Sequence, residues 1–285
     1  MKPTGPIKLS LRTDYMKERL KKVIFLDIET SLITARVFRT GKQNINASQF
    51  VSQGRILTVA YGTMYDLYTK GEAGVVGVSN HHFPTFKKDP LDDTELLKKI
   101  WQVLDETDVL VAHNSKFDVS WLLGRFAQMG WPEPSPFSIV CTYQSLYNLR
   151  FDSKKLQELS KTLIGTEKIS TDFNLWMRCS LGDKKAFEEM LAYNIGDIYE
   201  TLYKVYMRTC QYYPDRCVDL SNPYSTDIQC KVTGEQLVVN GHYHKRNIGL
   251  KYRRYLNETY GIHYVDRYNV NSGKAFIGLI KKLGA

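Results

Sequence analysis

The segment VIFLDIET, residues 23–30, decides how the rest of this sequence is interpreted. Four apolar residues lead into Asp27 and Glu29, which are separated by one residue. A run this rich in β-branched and aromatic side chains predicts a strand that is buried on both faces. Because side chains alternate along a strand, Asp27 and Glu29 point to the same side of the sheet.

Two carboxylates in that arrangement are unfavourable unless a positive charge lies near them. Unit charges about 4 Å apart repel by roughly 4 kcal/mol at an effective dielectric constant near 20. A cation between the two acids is the functional interpretation. The structural alternative is a strand that runs out into solvent with both carboxylates hydrated. The Asp27–Glu29 pair alone is compatible with both interpretations, and the choice between them depends on the other acidic residues of the chain.

Composition sets the class of protein. The chain has 285 residues, of which 43% are hydrophobic and 12% aromatic, enough for one large domain with an appendage or for two small ones. It lacks an apolar run near the length of a membrane span. Residues 1–6 lack the apolar core of a secretory signal. Five cysteines without a C-x-x-C pair favour free thiols, and therefore a cytoplasmic location.

The net charge of +9 is distributed unevenly. Residues 1–22 carry seven basic and two acidic residues, and residues 216–285 carry eleven and five. The body between them, residues 23–215, has 21 basic and 23 acidic residues. Basic ends around an acidic body suit a protein that binds a polyanion at its periphery and cations at its centre. Basic ends also serve solubility, so charge alone leaves nucleic-acid binding open.

Apolar periodicity along the chain predicts an α/β architecture. Residues 1–22 are expected to be a loosely ordered basic arm and residues 31–54 a loop. Strands are predicted at 55–62, 64–69, 75–83, 108–112 and 137–141. Helices are predicted at 95–104, 117–129, 142–149, 153–164 and 174–177, followed by a long helix at 183–212.

Polar residues follow the strand predicted at 108–112. Asn114 and Asp118 lie where that strand passes into a helix, with Phe117 between them. Junctions of this kind are where α/β folds build their sites. Asn114 could instead be a turn residue or a helix cap, and Asp118 an acid that the helix dipole favours.

The long helix carries a second polar pair. Tyr193 and Asp197 are four residues apart and therefore neighbours on one helix face. That face is expected to lie away from the core-facing apolar stripe, which consists of Leu191, Ile195, Ile198, Leu202 and Val205. A solvated pair on an exposed helix is the structural alternative.

Residues 213–285 differ in composition from the body. Tyrosine alternates there with Arg, Lys and His, as in KYRRY at residues 251–255. This pattern offers phosphate contacts and stacking surfaces together, with Arg253 and Arg254 as candidate substrate-binding residues. A small β-rich structural unit with a tyrosine core is an alternative that does not exclude binding.

Taken together, three groups of residues resemble the motifs of the DEDD 3′–5′ exonucleases. They are Asp27-x-Glu29, Asn114-x-x-Phe117-Asp118 and Tyr193-x-x-x-Asp197. The tyrosine places the chain with the subgroup that includes DnaQ-like domains and the proofreading domains of family-A and family-B DNA polymerases. The resemblance covers residues 23–210.

The resemblance implies a fold and a set of roles. The fold is a ribonuclease H-like mixed β-sheet flanked by helices over residues 23–212, with a small basic β-rich unit at 213–285. Asp27, Glu29 and Asp197 would hold one divalent ion, and Asp27 with Asp118 a second, partly through water. Tyr193 would orient the attacking water. The substrate strand would be placed by Ile28, Thr30, Asn114 and Phe117.

The implied activity is metal-dependent 3′–5′ exonuclease hydrolysis of single-stranded DNA with two ions. Oxygen-only ligands select Mg²⁺ or Mn²⁺ over zinc. Trimming of RNA 3′ ends is one alternative, and a non-catalytic nucleic-acid-binding adaptor is another. The implied setting is the cytoplasm of a bacterium or of a virus-infected host, with replication or repair proteins as partners in trans.

The tail also resembles a zinc ribbon that has lost its ligands. Of the four ligand positions only Cys230 remains, because Thr233, Asn257 and Tyr260 occupy the others. A tetrahedral zinc site is therefore not expected. A different set of ligands stays open as an alternative: Cys217, Cys230, His242, His244 and His263.

Overall fold

A computed structural model describes residues 7, 9, 11, 14–147, 149–166, 171–221, 228–245, 250–259 and 262–265. The side chains of residues 215, 242–245, 250–252 and 263 lie outside that description. The strands are β1 (Val23–Thr30), β2 (Thr34–Ala35), β3 (Phe50–Ser52), β4 (Ile56–Thr63), β5 (Val76–Ser79), β6 (Val109–Ala112), β7 (Ser138–Cys141), β8 (Val238–Lys245), β9 (Leu250–Asn257) and β10 (Ile262–Val265).

The helices are α1 (Asp14–Lys21), α2 (Met64–Lys70), α3 (Thr94–Asp105), α4 (Lys116–Gln128), α5 (Thr142–Ser145), α6 (Leu156–Ile164), α7 (Phe173–Ser180), α8 (Lys184–Gly196) and α9 (Lys204–Cys210). A π-helical segment, Asp197–Tyr203, joins α8 to α9. Short 3₁₀ turns lie at Ala47–Gln49, Gly71–Gly74, Asn80–His82, Pro84–Lys87 and Pro214–Arg216. Within the described residues, no helix is both long and apolar enough to cross a membrane.

Five strands form the central sheet in the order β5-β4-β1-β6-β7. Strand β1 pairs antiparallel with β4 and parallel with β6, so the sheet is mixed. Apolar residues of β1 face both sides: Phe25 lies in one core cluster, and Ile24 and Leu26 lie in another. The mixed sheet flanked by helices confirms the predicted α/β fold class.

Three local predictions were wrong. Residues 14–21 form a helix whose Met16 and Leu20 are buried, where we expected a loosely ordered arm. Residues 64–70 form a helix, although we expected a strand at 64–69. The Thr63 hydroxyl accepts a hydrogen bond from the Asp66 N–H at 2.9 Å, and Asp66 pairs with Lys70. This cap and this i,i+4 ion pair outweigh the β propensity of the segment.

The third correction concerns residues 31–54, predicted to be a loop. They contain β2 and β3, which pair with each other as a separate two-stranded sheet. The segment is polar in sequence and has no apolar alternation, so its strands left no periodic signal.

A buried ion pair ties α4 to the segment before α3. Two Arg125 nitrogens donate to Asp93 at 2.7 and 2.9 Å, and both side chains are almost fully buried. The Ile56 N–H also donates to Asp93, at 3.0 Å. Since Ile56 begins β4, this bidentate pair joins α4 and the start of α3 to the first residue of β4.

The C-terminal strands form a three-stranded antiparallel sheet in the order β10-β9-β8. Its Tyr255, Ile262 and Tyr264 belong to the same core cluster as Phe25 and Leu20. The unit predicted at 213–285 is thus β-rich where it is described. Its boundary with the body stays a prediction.

The positions that resemble zinc ligands are occupied by hydrogen-bonded groups. The Asn257 amide donates to Thr233 Oγ1 at 3.1 Å and to Glu235 Oε2 at 2.9 Å. The Cys230 thiol is buried and lies 3.2 Å from the Tyr264 hydroxyl. Tyr260 and the side chains of His242, His244 and His263 lie outside the described residues, so the alternative zinc site stays a prediction.

Candidate active site

Three acidic residues from distant parts of the chain meet at one point. Asp27, Glu29 and Asp197 each offer a carboxylate oxygen, and the three oxygens lie within 4.8 Å of one another. Asp27 and Glu29 are half-buried and Asp197 is buried. This group, called the acid cluster below, contains three of the four acids that the sequence motifs single out.

The sheet places the first two acids. In the β1–β4 pairing, Asp27 lies opposite Ala60 and Glu29 opposite Thr58. One residue separates the two acids on an eight-residue strand, so both side chains project from the same face. The strand prediction for residues 23–30 is therefore confirmed.

The helix that supplies Asp197 changes its winding at that residue. Residues 184–196 are α-helical, and the π-helical segment starts at Asp197. Such segments are frequent at functional sites because they shift the angular position of the side chains that follow. Asp197 is 2% exposed. The structural alternative, a solvated pair on an exposed helix, is therefore wrong for Asp197, whose carboxylate lies close to those of Asp27 and Glu29 on β1.

Asn194 contacts the acid cluster, although the sequence analysis did not select it. Its side-chain amide donates to Asp27 Oδ2 at 2.6 Å, and its carbonyl oxygen accepts from the Thr58 hydroxyl at 3.2 Å. Asn194 and Thr58 are both fully buried. The signal in the sequence was a polar residue three positions before Asp197, on the same helix face.

Asp118 lies beside the acid cluster and is not part of it. The parallel pairing of β1 with β6 ends at Phe25 and Val111, and further along the strand Asp118 Oδ1 accepts a hydrogen bond from the Ile28 N–H at 3.2 Å. Burial raises the pKa of the Asp118 carboxyl to about 7, and the Ile28 hydrogen bond acts in the opposite direction. A cation nearby would favour the ionised form.

Tyr193 lies on α8, one turn before Asp197. Its ring packs edge-on against Trp176, with 6.3 Å between ring centroids. The ring is half-buried, so part of the phenol surface remains accessible. Its helix therefore brings Tyr193 to the same region as the acid cluster.

The residues predicted to place a substrate lie in different environments. Asn114 is exposed and adopts a left-handed backbone, with φ of 58°, between β6 and α4. Phe117 is 44% exposed, and Thr30 is half-buried at the end of β1. Ile28 is 3% exposed and packs in the core, so its side chain cannot contact a substrate. That prediction can hold only for the backbone of Ile28.

Arg253 and Arg254 lie on β9 of the C-terminal sheet. Arg253 is exposed, and Arg254 donates from Nε to the Asn240 carbonyl at 2.8 Å. No contact between either residue and the acid cluster is found among the described residues. Any substrate contact they make therefore remains a prediction.

The donor set of the acid cluster fits a hard divalent cation. Its ligand atoms are all carboxylate oxygens, which suit Mg²⁺ or Mn²⁺ and do not suit a structural zinc ion. Within the described part of the chain, it is the one group of three or more His, Cys, Asp or Glu side chains close enough to share an ion. Three like charges this close favour a cation between them.

Comparison with known proteins gives distant similarities. No protein-family model matches the chain, and no curated protein matches it. A solved structure described as the apo form of a nuclease is similar, with 15% identity, a TM-score of 0.36, and coverage of 70% of this chain and 76% of that one. RNase D of Trypanosoma brucei is similar with 17% identity, a TM-score of 0.40, and coverage of 72% and 63%. Similarities this distant do not assign an activity to the chain.

Proposed function

We propose that this protein is a metal-dependent 3′–5′ exonuclease that hydrolyses single-stranded nucleic acid, with DNA as the expected substrate. The observation that carries the proposal is the convergence of Asp27, Glu29 and Asp197 within 4.8 Å. These acids are separated by up to 170 residues in sequence, and they stand in the order and spacing of the exonuclease motifs. Asp118, the fourth acid, is hydrogen-bonded to the strand that carries two of them.

The acid cluster would hold one divalent ion, and Asp27 with Asp118 a second. Such ions, when bound, lower the pKa of a coordinated water and stabilise the departing oxygen of a phosphodiester. The protein's own part is to fix the ligands. Asn194 holds Asp27 Oδ2 through its amide, and the Ile28 N–H holds Asp118.

Tyr193 is assigned the positioning of the attacking water. A tyrosine phenol ordinarily titrates near pH 10 and is neutral at physiological pH. It can therefore donate and accept hydrogen bonds, but it is a poor base. Packing against Trp176 fixes the ring, which limits the directions in which the hydroxyl can point.

The test is a digestion of 5′-labelled single-stranded oligonucleotides with Mg²⁺. We expect a ladder that shortens from the 3′ end with wild type and with Glu106→Ala, which removes an exposed acid outside the cluster. Asp27→Ala should leave the substrate intact. Identical ladders from wild type and Asp27→Ala would overturn the proposal. A matched RNA oligonucleotide in the same assay decides between the DNA and RNA forms of the activity, since the 2′-hydroxyl is the difference.

A non-catalytic nucleic-acid adaptor is the competing function. An adaptor has no need for an ion, whereas a nuclease of this kind requires one. Calorimetric titration with Mn²⁺ should give binding to wild type and reduced or no binding to Asp197→Asn. Absence of binding to wild type would favour the adaptor. If the enzyme acts in replication or repair, its partner proteins would act in trans.

A further inference from the structure

The strand that carries Asp27 and Glu29 continues directly into the segment 31–54, called the hairpin below. The Ser31 N–H donates to the Arg55 carbonyl at 2.7 Å, and the Arg55 N–H donates to Ser31 Oγ at 2.8 Å. Beyond these two hydrogen bonds, β2 and β3 pair through Thr34 and Ser52. The base of the hairpin is therefore fixed two residues beyond Glu29.

Gln49 organises the outer part of the hairpin. Its side chain donates to the Arg36 carbonyl at 3.1 Å and accepts from the Asn46 N–H at 2.9 Å. Its own carbonyl accepts from the Arg36 N–H at 2.9 Å. Residues 37–48, the tip, are thus held at their base by one glutamine, while none of them is buried.

The hairpin exposes more apolar surface than its polar sequence requires. Phe38 is fully exposed, and five further large apolar residues of the hairpin are also exposed. They are Ile33, Val37, Ile45, Phe50 and Val51. Concentrated apolar exposure of this kind marks an interaction surface.

The charge of the hairpin indicates the partner. The hairpin together with the adjoining Arg55, residues 31–55, contains four basic residues and no acidic one. The remainder of 23–215 contains 17 basic and 23 acidic residues, so the hairpin is a basic region on an acidic body. Arg36, Arg39 and Lys42 are all exposed, and none of the ion pairs found among the described residues engages them. Cations interleaved with an exposed aromatic ring fit a single-stranded polyanion with stacking bases.

Two aromatic side chains connect the base of the hairpin to the helix that carries Asp118. A Cβ atom at Gly54 would come within 2.4 Å of the Trp121 ring, so the hairpin base lies directly on that ring. The Trp121 and Phe117 ring centroids are 6.3 Å apart, and Phe117 precedes Asp118. Phe117, which is 44% exposed, and the half-buried Trp121 therefore lie between Asp118 and the foot of the hairpin.

We propose that the hairpin is a second binding surface for the single-stranded substrate, with Phe38 stacking on a base and Arg36, Arg39 and Lys42 contacting phosphates. This rests on the proposed function, because it assumes that the 3′ end lies at the acid cluster. A seven-residue arm from Ser31 to Phe38 reaches at most about 25 Å. The hairpin would therefore contact nucleotides several positions upstream of the bond that is cleaved.

The test measures binding without cleavage. The full-length protein is titrated in EDTA against a 5′-fluorescein single-stranded DNA 20-mer, and fluorescence anisotropy is followed. Phe38→Ala should raise Kd about ten-fold, the size of one lost base-stacking contact. Arg39→Ala should reduce the slope of log K against log salt by about 0.7, as expected for one lost phosphate contact.

Two matched variants control for nonspecific effects. Leu181→Ala removes an exposed apolar side chain elsewhere, and Lys88→Ala removes an exposed cation elsewhere. Both should bind like wild type. Phe38→Ala should also hydrolyse the p-nitrophenyl ester of thymidine 5′-monophosphate at the wild-type rate, because so small a substrate does not reach the hairpin.

The outcomes separate this inference from the proposed function. If Phe38→Ala and Arg39→Ala bind the 20-mer as tightly as the two controls, with an unchanged salt slope, the hairpin inference is wrong even where the acids prove catalytic. If the hairpin variants weaken binding but Asp27→Ala digests normally, the proposed function is wrong, and of the hairpin inference only single-stranded DNA binding by the hairpin is left, without its position relative to the cleaved bond. A wild-type dimer in sedimentation velocity that Phe38→Ala dissociates, with DNA affinity unchanged, would show a contact between two copies and overturn the inference.

Discussion

The acid cluster and a polar cluster of the C-terminal sheet are both buried or half-buried, and they differ in how their polar groups are balanced. The acid cluster brings together Asp27, Glu29 and Asp197, which all carry the same charge. The polar cluster of the C-terminal sheet pairs the Asn257 amide with oxygens of Thr233 and Glu235. The first has an excess of acceptors for which a cation is the natural complement. The second satisfies its donor within the protein.

The difference separates a cluster of ligand-type side chains that needs an ion, the acid cluster, from one that does not, the polar cluster. Removing a charge from the acid cluster should destroy function while relieving repulsion. Removing the amide from the polar cluster should harm stability while sparing the chemistry. Substitutions in the acid cluster should therefore lower activity and raise stability, whereas substitutions in the polar cluster should lower stability and leave activity unchanged.

The largest effect is expected at the acid cluster. Asp197→Asn keeps the shape of the side chain but removes one ligand charge, so hydrolysis of labelled DNA should fall by about 10³-fold or more. Initial rates at saturating Mg²⁺ measure this. Glu106→Gln is the matched control and should retain full activity. Activity within ten-fold of wild type in Asp197→Asn would remove the contrast between the clusters.

A smaller effect is expected from the residue that holds Asp27 in place. Asn194→Ala removes the 2.6 Å hydrogen bond to Asp27 Oδ2. Loss of such a supporting contact typically costs 10–100-fold in metal affinity or activity. We expect the Mn²⁺ concentration for half-maximal rate to rise, with kcat partly restored at high Mn²⁺. A merely structural role for Asn194 would lower the melting temperature and leave the metal dependence unchanged.

In the polar cluster the effect should appear in stability alone. Asn257→Ala leaves Thr233 and Glu235 without the amide donor, and a buried group that loses its partner costs about 1–3 kcal/mol. Urea unfolding should show this loss, whereas Gln236→Ala, at an exposed position nearby, should change little. Stabilisation of wild type by added zinc, with no such effect on Asn257→Ala, would mean that the cluster is a metal site after all.

The smallest effect has the opposite sign. Glu29→Gln removes one of three like charges whose oxygens lie within 4.8 Å. Half-burial and solvent screening reduce the gain, so we expect the free energy of unfolding in EDTA to increase by about 1 kcal/mol. Adding Mg²⁺ should cancel the advantage, because wild type then gains a bound ion. A loss of stability in EDTA would show that the acids are not mutually repulsive.

Much of the fold could be predicted because its strands have strong local signals. The strand in the segment 23–30 and the strands at 55–62, 108–112 and 137–141 were predicted to within one residue of the observed bounds at each end. The helix at 64–70 was missed because Thr63 and Asp66 cap it through side-chain hydrogen bonds, which apolar periodicity does not record. Side-chain caps compete with propensity over short segments.

The site was predictable in part. Asp27 and Glu29 could be placed together because strand alternation is rigid over one residue. The approach of Asp197 rested on motif order alone, since no local pattern fixes contacts across such a distance. The Asn194 contact and the π-helical segment at Asp197 depend on how α8 packs over β4, which periodicity does not determine.

Phe25 lies two residues before Asp27 on β1, and its ring packs edge-on against Tyr203 and Tyr206, with centroids 5.3 and 5.1 Å apart. The Tyr206 hydroxyl in turn accepts a hydrogen bond from the Val218 N–H at 3.0 Å, and Val218 shares one core cluster with Tyr255 and Tyr264. A chain truncated after residue 212 would lose Val218, Tyr255 and Tyr264. The side chains of this core cluster that remain, Phe25 and Tyr206 among them, would then be exposed to solvent. The C-terminal sheet therefore completes the hydrophobic core, and a protein expressed as residues 1–212 should be insoluble.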